Sequence, residues 1–357
     1  MPTRVRSRCK INLGLAIGSA RTDGFHALAT LYQTLALHDV VTVSARRLSE
    51  GRSHITLTTN HPDVPTDDRN TAFRMVDRVL LAAGLSAEVN VHIEKQLPVQ
   101  GGLGAGSANA AGALFALQRE LGTELKLTAT ERLRIAAEIG SDVPLFLIGG
   151  AVLGANRGEA VTPMEDFPPT PCVIAAPRIG VSTPRAFQEW DGLCALKSNA
   201  SNRLTAPHQP DRLEKLSHVY VSVLGVSPST ERASESSGIV SDYGSGLPAS
   251  PGSEDSRNDL AGNPLLALVR TGIENDFEQV VFPQYPQLRE IKHLLQGSPG
   301  SEAIYAALSG SGSALFGLYR NEADAKAAQQ RVEGFGCRAL LTETLPRQTY
   351  WRTMFAE

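Results

Sequence analysis

The chain has 357 residues, 34 Lys and Arg against 37 Asp and Glu, 42% hydrophobic residues and four cysteines. That length suits two domains, and a formal charge of −3 gives no general attraction to nucleic acid or anionic lipid. Cys9, Cys172, Cys194 and Cys337 are scattered without a CxxC pair, which points away from a disulfide framework or Cys-rich zinc module and towards a reducing cytoplasm.

In chain order, Val5 to Ile17, Leu35 to Val43 and Ile55 to Thr59 read as strands. The basic start lacks an uninterrupted apolar stretch with a cleavage site, so a soluble, cytoplasmic protein without membrane association is expected. Asn70 opens a helix that runs to a glycine stop at Gly84, with Phe73, Val76, Val79 and Leu80 at helical spacing. Glu88 to Ile93 is a strand. The segment LPVQGGLGAGSANAAGALFALQREL then turns through glycines into an Ala-rich helix from about Ser107 to Leu121. A further helix spans Ala129 to Ile139, and GSDVPLFLIGG reads as a turn into a buried strand. Cys172 to Ala176 and the Ala303 to Tyr319 region supply strands, Glu322 to Val332 a helix, and Arg338 to Thr342 a closing strand. Between them, Ser, Gly and Pro make up 18 of the 36 residues from Ser227 to Gly262. So little apolar surface cannot offset the entropy of ordering, and a mobile insertion at about 192–262 is expected. The mixture of strands and helices without strict βαβ alternation predicts an α+β fold of two domains, 1–163 and 164–357.

The glycines carry the chemistry. Gly101, Gly102, Gly104 and Gly106 let backbone N–H groups approach an anion at the positive end of a helix. A tight turn alone would also use them. The loop is not a Walker A sequence, since Ser107 and Ala108 stand where Lys and Ser/Thr are required, and it lacks the third glycine of a dinucleotide fingerprint. Lys10 reads either as a cleft-facing cation or as an edge-strand lysine in water, and Asp142 either as a carboxylate near a phosphoryl acceptor or as a turn cap. A second small-residue turn, LSGSGSALFGLY, occupies Leu308 to Tyr319. The eight histidines show no metal-ligand spacing, and metal ligands stay unassigned.

CKINLGL with RTDGFHAL, PVQGGLGAGSANAA, EIGSDVPLFL, ENDFE and LSGSGSALFGL, in this order over roughly 1–190 and 263–345, resemble the GHMP small-molecule kinases. Within them they are similar to the branch that phosphorylates a cytidine-diphosphate derivative of methylerythritol. The resemblance implies a two-domain GHMP fold with ATP as co-substrate and Mg²⁺ as its counterion. It makes Lys10 and Asp142 the catalytic pair, and Pro98, Val99, Gln100, Gly101, Gly102, Leu103, Gly104, Ala105, Gly106, Ser107 and Ala108 the ATP loop. It places the acceptor near Asn12, Phe25, His26, Thr183 and Phe187, with the Phe25 and Phe187 rings on either side of the cytosine and His26 hydrogen-bonding its polar edge. A small-molecule substrate, no nucleic acid, and a monomer or homodimer follow from it. Cys9, Phe25, Gln100 and Ala105 depart from the family's usual residues. A kinase of mevalonate or homoserine type, or an anion-binding protein on the same fold, are the alternatives.

Overall fold

The computed structural model describes residues 1–21, 24–99, 101–200, 212–225 and 264–357. Gln100 and most of the Ser-rich segment therefore lie outside the described residues.

Apolar residues at period two, among them Val5, Cys9, Ile11, Leu13, Leu15 and Ile17, build strand β1 (Thr3–Ala20). β2 (His26–Arg47) runs antiparallel to it, so the expected Leu35–Val43 strand is the middle of a 22-residue strand. Its first half pairs with β5 (Ala151–Asn156) and its second with β4 (Ala87–Glu94), which lies parallel to β3 (His54–Thr59). β6 (Ala160–Pro163) continues from β5, and β11 (Phe355–Ala356) returns the end of the chain to β1. The first sheet thus has the order β11-β1-β2-β4-β3, with β5 and β6 branching from β2.

Helix α1 (Thr71–Ala83) begins where the Asn70 side chain accepts from the Ala72 N–H, and ends at Gly84 with φ +64°. It packs beside α2 (Ala105–Leu121). Met75, Val76, Val79, Leu114 and Leu117 join Val5, Val41, Val91 and Ile93 in one core. A capping box of Thr128 and Glu131 starts α3 (Ala129–Ile139).

A second antiparallel sheet, β10-β7-β9-β8, is built from β7 (Pro171–Ala176), β8 (Tyr305–Leu308), β9 (Leu315–Leu318) and β10 (Arg338–Glu343). The helices Pro286–Gln296 and Glu322–Gly334 bury Leu288, Leu295, Ala328 and Val332 beside its Val173, Ala175, Leu308 and Leu315. Ile11, Leu31 and Leu103 share a third cluster with Ile174, Phe316 and Leu318, which ties the two sheets together.

Two expectations need correction. Residues of GSDVPLFLIGG form a helical turn, α4 (Val143–Phe146), rather than leading straight into a strand. Pro144 at its first turn and Gly149 and Gly150, with φ of +72° and +71°, delay the strand until Ala151. The insertion expected at about 192–262 does not begin at 192. Helix α5 (Thr183–Ala200) runs through that point, and α6 (Arg212–Leu224) is a second helix within it. Tyr220 and Leu224 of α6 are buried in the cluster between the sheets, enough apolar surface to hold the helix there.

Candidate active site

The register of β1 and β2 creates the site. Shifts of pairing between Arg8 and Lys10 and between Asn12 and Gly14 flank two polar residues that point to the same face. Lys10 is 2% exposed and Asn12 also 2%, which removes the reading of Lys10 as a water-facing edge lysine. The Lys10 ammonium donates to Asn12 Oδ1 at 2.6 Å and lies 3.3 Å from Asp142 Oδ2. Asn12 Nδ2 donates to Thr30 Oγ1 at 2.8 Å, whose hydroxyl in turn donates to the Gly14 carbonyl at 2.7 Å, so the asparagine is held from behind. The Tyr32 hydroxyl donates to Asp142 Oδ1 at 3.0 Å.

Asp142 occupies the N-cap position of α4, yet its carboxylate makes no capping hydrogen bond. Both oxygens face the β1–β2 pair instead, and the side chain keeps 31% of its surface. The turn that carries it is braced by the chain's end. In the helix Arg347–Arg352, Tyr350 donates its hydroxyl to the Phe146 carbonyl at 2.7 Å and Trp351 its indole N–H to the Ile148 carbonyl at 2.9 Å.

The glycine turn lies against the same lysine. Lys10 N–H donates to the Leu103 carbonyl at 3.0 Å. Gly104 has φ +68°, and a Cβ there would stand 3.1 Å from both Lys10 Cγ and Phe146 Cζ. Ala108 N–H closes the first helical bond to the Gly104 carbonyl, which leaves the N–H groups of Ala105, Gly106 and Ser107 without helical acceptors at the positive end of α2. The Leu103 and Ala108 side chains are buried, so these residues offer the site backbone only. Upstream, buried Asp39 pairs with Lys95 and accepts from the Gln96 and Leu97 N–H groups at 2.8 Å each, which anchors the entry to the turn.

The second glycine turn interlocks with the first. Ser309 donates its hydroxyl to the Gly102 carbonyl at 3.0 Å and Ala314 its N–H to the Gly101 carbonyl at 3.1 Å. A Cβ on Gly102 would collide with the Ser309 carbonyl, and one on Gly310 would lie 3.6 Å from Lys10 Nζ. Asn275 Nδ2 donates to the Leu308 and Gly310 carbonyls at 2.8 Å each. Thr183, at the start of α5, exchanges a 2.7 Å hydrogen bond with Ser311 and so reaches the same turn. Pro98, Val99 and Gly101 line a neighbouring cavity of about 850 Å³, together with Arg178, Ser313, Ala314 and Arg338.

The aromatic residues expected around a flat base are arranged differently. His26, expected to hydrogen-bond the edge of the base, instead stacks on Phe187, centroids 4.7 Å apart and rings 12° from parallel. His26 Nε2 lies 2.7 Å from Asp191 Oδ1, and Phe25 is half exposed with the Arg157 guanidinium 4.9 Å from its ring. Tyr32, Thr30 and Asp191 were not legible as site residues, because each reaches the site only through strand register or a distant turn, whereas Ser309 lies in the second small-residue turn already singled out. The ENDFE motif was the one local sign of Asn275. Among the described residues no cluster of three His, Cys, Asp or Glu side chains forms that would hold a metal ion, and no helix is long and apolar enough to cross a membrane.

Profiles of the GHMP kinases N-terminal domain and of the GHMP kinases C-terminal region match residues 70–150 and 260–336. A 4-diphosphocytidyl-2-C-methyl-D-erythritol kinase from a Synechococcus species is 32% identical over 98% of this chain and 93% of its own length. The crystal structure of a 4-(cytidine 5'-diphospho)-2C-methyl-D-erythritol kinase, 26% identical, superposes with a TM-score of 0.61 over 96% of this chain and 99% of that one. A homoserine kinase from Cytophaga hutchinsonii, 17% identical with a TM-score of 0.63 over 98% and 96% of the two chains, shares the fold.

Proposed function

Because the chain belongs to the 4-diphosphocytidyl-2-C-methyl-D-erythritol kinase family within the GHMP kinases, we propose that it transfers the γ-phosphoryl group of ATP to the 2-hydroxyl of 4-diphosphocytidyl-2-C-methyl-D-erythritol, a step of non-mevalonate isoprenoid precursor synthesis. The observation that carries this reading is the Lys10–Asp142 pair, 3.3 Å apart and pressed against the glycine turn. Asp142 orients the attacking hydroxyl and takes its proton as the oxygen–phosphorus bond forms and the bond to ADP breaks. Lys10, 3.3 Å from the carboxylate, offsets charge on the phosphoryl oxygens, in a setting dry enough for one cation to matter. The N–H groups of Ala105, Gly106 and Ser107 bind phosphate oxygens in place of a Walker lysine.

Mg²⁺ arrives with the nucleotide. Among the described residues no cage of carboxylates or histidines would hold a metal ion, so Mg²⁺ would bind through the phosphates and screen their charge, with the Ser107 hydroxyl a candidate ligand on the loop. On the acceptor side, Asn12 and Thr183 flank the alcohol. The stacked His26 and Phe187 offer the cytosine a common aromatic wall on one side, so stacking is one-sided there.

The test is ADP release with a panel of alcohols: the cytidyl acceptor, methylerythritol phosphate, mevalonate and homoserine. Turnover on the cytidyl acceptor at least about 10²-fold above the others is expected, since remote binding energy is lost from the truncated acceptor. Equal use of the four refutes the substrate assignment.

A further inference from the structure

Resting on the kinase reading above, we infer that Tyr32 is the positioning residue of the Lys10–Asp142 pair, with one buried phenol fixing both charges. Its hydroxyl donates to Asp142 Oδ1 at 3.0 Å, while its ring stands 5.5 Å from the Lys10 ammonium. No cap bond holds the Asp142 carboxylate to its own turn, so its orientation depends on Tyr32 and Lys10 alone among the described hydrogen bonds and ion pairs. With Oδ1 engaged by the phenol and Oδ2 beside the ammonium, the carboxylate keeps its remaining lone pairs on its exposed side for an acceptor hydroxyl.

Tyr32 is itself rigidly placed. Its backbone sits mid-sheet, opposite Asn12 on β1 and Val152 on β5. Its ring fills a slot made by absent side chains, because a Cβ on Gly154 would meet the ring and one on Gly158 would meet the hydroxyl. Charged groups face it from each neighbouring element: Lys10 from β1, Asp142 from the turn before α4, and Glu159 from the β5–β6 turn. Burial above all, and then the Asp142 charge, push the phenol's pKa well above its ordinary value, so it stays a proton donor wherever the enzyme works. A tyrosine serving only as core would not need the hydroxyl bond to Asp142.

Tyr32→Phe keeps the ring and removes the donor. The expected result is a fall in kcat of about tenfold or more, with KM for ATP and for the acceptor within about twofold, as a hydrogen bond to a charged group is lost. A double-mutant cycle with Asp142→Asn separates positioning from structure: in the Asp142→Asn background Tyr32→Phe should change kcat by less than about twofold. The same cycle in thermal midpoints needs no substrate, and the two shifts should be clearly non-additive. Wild-type turnover on the acceptor panel decides the kinase reading by itself, and the kinetic cycle runs on whichever alcohol is turned over. Wild-type kcat in Tyr32→Phe, an equal loss with and without Asp142, or additive midpoint shifts would each overturn the role given to Tyr32.

Discussion

Gly104→Ala asks whether the glycine turn serves catalysis or only folding. At φ +68° an alanine costs roughly 1 to 2 kcal/mol of backbone strain. Its Cβ would stand 3.1 Å from Lys10 Cγ, 3.1 Å from Phe146 Cζ and 3.2 Å from Lys10 Cε, so a neighbour must give by a few tenths of an ångström. Phe146 is locked in the core, and the lysine side chain moves instead. If the ammonium retreats by about 0.5 Å from its 3.3 Å separation, attraction to Asp142 falls by roughly 0.6 kcal/mol at an effective dielectric of about 20. That alone is about threefold in rate, and misplacing the cation relative to the phosphoryl group brings the expected loss of kcat to about 10- to 100-fold. The strain should lower the thermal midpoint by only about 1 to 3 °C in a chain of this size. Coupled ADP release and a thermal scan on the same preparation measure both. A variant with wild-type kcat and the lowered midpoint would refute the claim that this glycine sets the position of Lys10.

Asp142→Asn should retain nucleotide binding by titration while kcat falls about 10²- to 10⁴-fold, and turnover near wild type would remove Asp142 as the base. Tyr350→Phe strands the Phe146 carbonyl, so a loss of about 1 to 2 kcal/mol in denaturant unfolding is expected, and an unchanged midpoint would show that the chain's end does not brace the Asp142 turn. Burial first, with Arg8 and Arg6 nearby, lowers the pKa of His38. The unfolded chain therefore takes up that proton first, and stability should fall as pH drops through about 6.5. His38→Asn should flatten this part of the thermal midpoint profile, and an undiminished slope would assign the loss to other groups.

The local grammar of the fold is written in the sequence. Asn70 and Gly84 delimit α1 because capping acts within one turn of the chain. The glycines before α2 announce a close backbone approach, and the alternation of Val89, Val91 and Ile93 announces β4. The full length of β2 was not legible, since Leu28 to Gln33 are completed by β5, far along the chain. Nor was α6, whose surroundings in the sequence are rich in small polar residues and whose helix is held by the contacts of Tyr220 and Leu224 with a core assembled from elsewhere. The site divides in the same way. The motifs of the resemblance pointed to Lys10 and Asp142, while their alternative readings as a solvated lysine and a turn cap stayed open until the fold brought them to 3.3 Å. Tyr32 carried no signal, because its partner Asp142 is 110 residues away. Propensity and capping are decided among residues a few positions apart, whereas the direction of a carboxylate depends on which distant strands and turns pack around it, and only the tertiary structure decides that.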